Sequence, residues 1–363
     1  MKRLESLDTL RGITITGMIL VNNPGSWSHV YAPLLHAKWH GLTPTDLIFP
    51  FFLFIVGVSI SIAYRNKVIN RNIYKKILTR SFKLIGLGLL INTVSPNFPF
   101  VETINQIRIP GVLQRIGIVF LCSSFIFLKY DTKKIIIIIA FILLSYYLFL
   151  NFMPLPDGKS PTFDESSNNW VNYIDQTILG SHMWKPISDP EGLLSTIPAI
   201  ATCLLGTLIG KIILSRRNDK DKLKRLLWCT LFLLFSGYLW GYLFPINKSI
   251  WSSSYALVTS GWGTLTLAIA YYINDLKRIS SPKPIIYVSQ NAIIIYFLSM
   301  IISKFFYQIK VNDKQNIHSW IFDTIFVFFK DLKLASFSYA LCVVLFYLLL
   351  AYSLYKKKIF IKV

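Results

Sequence analysis

Apolar residues in this chain come in long unbroken runs, such as LIFPFFLFIVGVSISIA at 47–63 and IIIIIAFILLSYYLFL at 135–150, divided by polar linkers. A helical run of about 20 apolar residues matches the ~30 Å hydrocarbon core of a bilayer. The runs are continuous and not alternating, which predicts helices and excludes barrel strands. Ten spans are predicted, at roughly 10–27, 45–64, 76–93, 109–128, 133–152, 193–214, 223–244, 252–273, 284–306 and 336–355. The expected fold class is therefore all-α: a polytopic membrane helix bundle of about ten transmembrane helices.

The linkers sort by charge. YRNKVINRNIYKKILTRSFK, KYDTKK, KIILSRRNDKDKLKR, NDLKRISSPK and YKKKIFIKV are basic. NTVSPNFPFVETINQIRIP, the long 151–192 stretch and FPINKSIWSS are not. The two kinds alternate along the chain. Lys and Arg collect on the cytoplasmic side, so both termini are expected there and His36 outside. The segment 317–333 is too short and too charged for a span and is expected as a helix in the outer interface. At the N-terminus, Glu5, Asp8 and Arg11 interrupt a basic, apolar start and no small-residue cleavage site follows, so an uncleaved first span is expected. Residues 1–363 are expected to form a single transmembrane domain.

Composition agrees with this pattern: 53% of residues are hydrophobic and only 15% charged, against about a quarter charged in soluble domains. The net charge of +21 then reads as topology and not as nucleic-acid binding. Cys122, Cys203, Cys229 and Cys342 all fall in apolar runs without CxxC spacing, as small buried hydrophobes do.

Several polar groups sit where lipid is expected. A charge at mid-span costs about 2.5–3.5 kcal/mol on insertion scales, so those that persist usually pair or line a cavity. Asp8 and Arg11 lie three apart near the inner end of the first span; Asn22 and Asn23 lie at its outer end. Asp46 opens the second span, Gln114 and Arg115 lie in the fourth and Asn291 in the ninth. If these helices pack together, one polar pocket crosses the bundle. The structural alternatives are an Arg115 pair with Asp46 or Asp8, and an interhelical hydrogen bond from Asn291.

GLTPTD at 41–46 first predicts a helix start: Thr43 and Asp46 have capping-box spacing, and Pro44 suits the first turn. His36 and His40 are four apart, but two imidazoles fall short of a zinc ligand set, and no metal is expected. His36 lies on the outer side with Asn22, just ahead of Asp46. An imidazole that is neutral at working pH can accept a proton from a nucleophile or carry an acyl group.

SLDTLRGITITGMILVNNPG, HAKWHGLTPTDLIFPFFLFIVG, RIPGVLQRIGI, DPEGLLSTIPAIATCLLGTLIG, FPINKSIWSSSYAL and SQNAIIIYF occur in that order. In these stretches, which span nearly the whole chain, it resembles the transmembrane acetyltransferase family of heparan-α-glucosaminide N-acetyltransferase and its bacterial relatives. The resemblance implies transfer of an acetyl group from cytosolic acetyl-CoA to the amine of a glucosamine-type sugar across the membrane, with the bilayer and an amino-sugar acceptor as partners. It implies His36 as the active histidine, with Asn22 as its partner; Asp46 beside them completes the catalytic candidates. Arg108, Gln114 and Arg115 fall in the motif of the fourth span. With Arg11 and Arg80 on the basic inner face they are the candidates for holding acetyl-CoA. Glu191, Asn247 and Trp251 fall in outer turns and are acceptor candidates. The 151–192 loop is the expected acceptor-recognition segment, with Trp170, Tyr173 and Trp184 either stacking on a sugar or forming an interfacial aromatic belt. Relatives imply a homodimer. The lysosomal relative carries a large segment before this region and more glycine after the asparagine where this chain reads Asn-Pro-Gly. With Met1 opening this chain, no lumenal domain or lysosomal targeting is expected, and a bacterial inner membrane is. Two rival readings remain at this point: a sugar or amino-sugar transporter, which would favour inverted repeats that are not seen, and an O-acetyltransferase acting on lipid or polysaccharide hydroxyls.

Overall fold

The computed structural model describes all residues except 1–3, 66, 68, 327 and 362–363, which include part of both basic chain ends. Its helices are, in order, α1 (Glu5–Asn22), α2 (Pro44–Tyr64), α3 (Arg71–Thr93), α4 (Val112–Lys129), α5 (Thr132–Phe152), α6 (Trp170–Leu179), α7 (Thr196–Ile213), α8 (Asp219–Trp240), α9 (Ser253–Ala270), α10 (Lys283–Gln290), α11 (Ala292–Gln308), α12 (Ile317–Ile325) and α13 (Leu332–Lys356). A π-turn, Tyr271–Leu276, extends α9. Among the described residues there is no strand, only two isolated bridges.

Six of these helices are long and apolar enough to cross a membrane: α2, α4, α5, α7, α9 with its π-turn, and α13. Taken together, α10 and α11 make a seventh, bent by 85°. Helices α1, α3 and α8 have 18, 23 and 22 residues, but charged residues in their first turns lower their hydropathy. The bundle has two ends. One carries the basic linkers; the other carries the long loops, α6 and α12.

The centre is α2 against α7, which run parallel: Phe54 and Gly57 meet Gly206, and Val58 and Ser61 meet Gly210. Backbones approach closely there. A Cβ on Gly57 would lie 1.9 Å from the Cys203 carbonyl oxygen, and one on Gly206 2.2 Å from that of Phe54. Small residues at helix crossings allow this approach where lipid offers no hydrophobic drive between helices. Gly57→Val is therefore expected to lower the thermal midpoint of the detergent-solubilised protein, at a cost of about 3 kcal/mol. Gly86→Ala, where a Cβ meets nothing within 4 Å, should leave it unchanged.

Hydrogen bonds tie most of these polar groups to separate places, Asp8 and Arg11 being the two that bond each other. Arg11 bonds Asp8 and, at 3.1 Å, Ser59 of α2. Gln114 donates to the Ile109 carbonyl. Arg115 reaches neither Asp46 nor Asp8 but the Gly192 carbonyl at 2.9 Å and the Ser195 hydroxyl. Asn291 sits at the α10–α11 break, where its side chain donates to the Ile359 carbonyl and accepts from the Ile361 amide. A polar side chain predicted to join two helices instead pins the C-terminal tail to a broken one. In the 317–333 segment α12 covers Ile317–Ile325 and α13 begins at Leu332; His318 of α12 lies 3.0 Å from the Pro24 carbonyl and 3.0 Å from the Tyr307 hydroxyl.

Candidate active site

The loop end of the bundle holds the candidate chemistry, and α2 starts it. Pro44 occupies the first turn, and the Asp46 carboxylate accepts from the Thr43 amide at 3.1 Å, the acidic half of a capping box. The same Oδ2 accepts from the Thr43 hydroxyl (2.9 Å) and the Ala37 amide (3.0 Å). Tyr255 of α9 donates to the Asp46 carbonyl at 2.6 Å. Asp46 is thus a fixed anion, 1% exposed. Its other oxygen, Oδ1, lies 2.7 Å from His36 Nδ1.

His36 lies in irregular chain after a short 3-10 turn, so its spacing to His40 does not put the two on one helical face. Its side chain is 46% exposed. A carboxylate at Nδ1 fixes the proton there and leaves the lone pair on Nε2. Beside the ring stands Lys248, from the loop between α8 and α9. Its Nζ is 3.1 Å from Nδ1, 3.3 Å from Nε2 and 3.8 Å from Asp46 Oδ1. Burial lowers the Lys248 pKa; Glu191 and Asp46 act in the other direction and Arg115 adds to the lowering. Sequence reasoning picked Asn247 and Trp251 on either side of this lysine and passed over it. The available signal was a lone lysine in a linker otherwise free of basic residues.

A second charged group lies across the loop end. Arg108 makes a fork to Asp189, with Nε at 2.8 Å from Oδ2, and its Nη2 bonds both Asp189 and Glu191. Its guanidinium lies 5.2 Å from the ring centre of the exposed Trp184. Burial works against the Arg108 charge, but Glu191 and Asp189 outweigh it and raise its pKa. Arg115, 1% exposed, stacks on Trp251 at 5.2 Å, and its Nε and Nη1 have no acceptor among the described residues. Nearby, burial pushes Asp175 up to about 6, and its Oδ2 also lacks a partner among the described residues. That carboxylate lies over Gly192, where any Cβ would meet Oδ2 at 1.7 Å.

The remaining candidates are spread more widely. Asn22 ends α1 half-buried and makes no hydrogen bond to His36 among the described residues. Trp251 is fully buried, with φ +47°, and its indole donates to Thr202, so it is a wall of the core and not an open face. Asn247 is equally buried. It shapes the turn through the Ile250 amide and lies 3.3 Å from His40 Nδ1. His40 Nε2 in turn reaches Asp164 at 3.2 Å, a contact that holds the Asp164 pKa below the usual range. Trp170 begins α6, donates to the Met153 carbonyl and packs on Phe149. Gln114 lies against Gly88 and Gly111. Arg80 of α3 lies over the Phe120 ring at 4.8 Å, and its Nε lacks an acceptor among the described residues. Arg11 and Arg80 both lie toward the basic end, away from His36. Among the described residues no group of three or more His, Cys, Asp or Glu is arranged to hold a metal ion.

A bundle of membrane-length helices with a carboxylate–imidazole pair at its loop end defines the class. The sequence profile of the family described as "Heparan-alpha-glucosaminide N-acetyltransferase, catalytic" matches residues 3–244. The chain belongs to this family. It is 30% identical over 422 aligned residues to human heparan-alpha-glucosaminide N-acetyltransferase and 30% identical over 423 to the mouse protein. Each alignment covers 99% of this chain and 60% of the relative, so the chain spans about 60% of the length of these curated relatives. Lys248, Asn247 and Trp251 lie beyond the region matched by the profile.

Proposed function

We propose that this chain is a transmembrane acetyltransferase that takes the acetyl group of acetyl-CoA from the cytoplasmic side and delivers it to the amine of an amino sugar on the other side. The observation that carries the reading is the His36–Asp46 pair at the end of the bundle opposite the basic linkers. With its proton held on Nδ1, the ring offers Nε2 as a base or as a nucleophile. The names of the relatives supply the reaction class and the glucosamine-type acceptor. Ten spans with both termini cytoplasmic fit the alternation of basic linkers.

Acetyl-CoA, when bound, supplies the acyl carbon as a thioester. Residues of this chain fit such a molecule at two depths. Arg11 and Arg80 lie toward the basic end, suited to phosphates. Arg115 has two donor nitrogens without an acceptor among the described residues, and an unfilled buried donor costs about 1–3 kcal/mol. A carbonyl oxygen reaching Arg115 would fill one of them and be polarised by it. His36 Nε2 then takes the proton of the attacking amine as the new N–C bond forms and the thiolate leaves. In the two-step route the same nitrogen first takes the acetyl group and then passes it to the amine. Asp46 holds the Nδ1 proton throughout, and the acceptor is met by the 151–192 loop with Glu191 and Trp170.

The test is a sealed vesicle of known orientation holding the purified chain, with labelled acetyl-CoA on one side and glucosamine on the other. Label is expected in N-acetylglucosamine only with the donor on the face of the basic linkers. Label on the chain without acceptor that survives neutral pH but is lost in acid and to hydroxylamine, as an acyl-imidazole is, assigns the two-step route, and its absence at neutral pH assigns direct attack. Counterflow of unmodified sugar without acetylation would overturn the enzyme in favour of a transporter, and label in hydroxyl esters alone would overturn the amine acceptor.

A further inference from the structure

Lys248 is the nearest charged group to the candidate base apart from Asp46. Its Nζ approaches both ring nitrogens of His36 almost equally, at 3.1 and 3.3 Å. The two nitrogens flank Cε1, and a point in the ring plane so near to both would collide with ring carbon. The ammonium therefore lies over the face of the imidazole and not along a lone pair, leaving the in-plane direction at Nε2 open.

We propose that Lys248 is a positioning residue for His36: its ammonium over the ring opposes protonation and keeps the Nε2 lone pair available. This rests on the reading of His36 as the reacting group. Two charges act on the ring from opposite sides of the balance. Asp46 at 2.7 Å favours an imidazolium. Lys248 disfavours one and, 3.8 Å from Asp46 Oδ1, also offsets the carboxylate. The other charged groups bearing on Lys248 are Glu191 from the outer loop and Arg115 from α4, which have opposite signs. Without the lysine the carboxylate acts alone, and the ring takes up a proton more readily. A charge within about 4–6 Å shifts such an equilibrium by one to three powers of ten.

The lysine backbone is anchored independently of its charge. The Trp251 amide donates to the Lys248 carbonyl at 3.1 Å, and Asn247 and Ser252 close the turn around it. The side chain is 18% exposed, so a methionine of similar shape can take its place.

The test reads the ring itself. Diethyl pyrocarbonate acylates neutral imidazole: an N–C bond forms at Nε2, ethyl carbonate leaves, and the Nδ1 proton passes to Asp46 or solvent. In purified full-length protein, the rate at His36 is followed by peptide mass spectrometry at about pH 6 and about pH 8. His40, which Lys248 does not touch, is the internal reference. Lys248→Met is expected to react about tenfold more slowly than the natural chain at the lower pH and equally at the higher. Lys248→Arg, which keeps the charge, should restore the natural profile. An unchanged profile in Lys248→Met, or a failure of Lys248→Arg to restore it, would overturn the proposal. If Lys248→Met does not fold, Lys248→Gln carries the same comparison. Because the readout needs no acetyl transfer, the two readings fail separately. An active His36→Ala protein would sink the functional reading and leave the Lys248 effect standing. An unmoved profile beside a dead His36→Ala protein would sink only the lysine.

Discussion

His36→Ala is expected to fold normally and to transfer acetyl at least about 10³-fold more slowly than the natural chain. The separation of folding from activity follows from where the ring sits. It is 46% exposed, and among the described residues its polar contacts are Asp46 and Lys248. Removing it opens no core cavity and leaves these two charges 3.8 Å apart, free to pair. Asp46 is different. Its Oδ2 accepts from the Ala37 amide and from both Thr43 donors, so Asp46→Ala strips three donors of a partner at the start of α2 and should cost stability as well as rate. Asp46→Asn is the more informative change. An amide nitrogen turned to Nδ1 donates where the carboxylate accepted, moving the ring proton to Nε2 and blocking the base. About 10²-fold or more should be lost, with the thermal midpoint falling less than in Asp46→Ala. Initial rates of labelled acetyl transfer, with melting curves on the same preparations, check all three variants. Full activity in His36→Ala would remove the imidazole from the reaction.

Local signals in the sequence carried through to the structure, and signals that depend on distant partners did not. Six of the ten predicted spans were legible as membrane-length helices because hydropathy over about 20 residues reflects the medium a helix must cross. The predicted 45–64 and 133–152 fall within one residue of α2 and α5 at either end. Thr43, Pro44 and Asp46 were legible as a helix start because capping acts within one turn. The 85° break at Asn291 was invisible in the same window, since composition on both sides is apolar and the turn is held by residues 359 and 361. One of the two readings of Arg115 paired it with Asp46 or Asp8. The guanidinium found a carbonyl and a hydroxyl 77 and 80 residues away, where α7 begins. Lys248 was missed for the same reason: it stands 212 residues from His36, and only the meeting of α2 with the α8–α9 loop gives it a role. Trp251 shows the converse, since a motif flagged it for the acceptor and packing put it inside the core.

Asp189→Ala should produce the largest loss of stability at the loop end, about 3–5 kcal/mol, the cost of removing one member of a buried ion pair. The carboxylate is fully buried and accepts from Arg108 Nε and Nη2, from the Trp184 amide at 2.8 Å and from the Glu191 amide at 2.9 Å. Deleting it strands two backbone donors and leaves Arg108, 19% exposed, with Glu191 as its one carboxylate. The guanidinium fork matches the carboxylate in a plane, which the single ammonium of Arg108→Lys cannot do, so that variant should fall between Asp189→Ala and the natural chain. The consequence reaches further than the melting point. Asp189 and Glu191 fix the end of the 151–192 loop, and Arg108 is itself held by Asn92, which donates to its carbonyl at 2.7 Å. Releasing the fork frees the loop from the start of α4. Limited proteolysis should then cut within 153–190 in Asp189→Ala under conditions that spare the natural chain. If the loop stays protected and the melting point is unmoved, the fork is not what holds the proposed acceptor segment to the bundle.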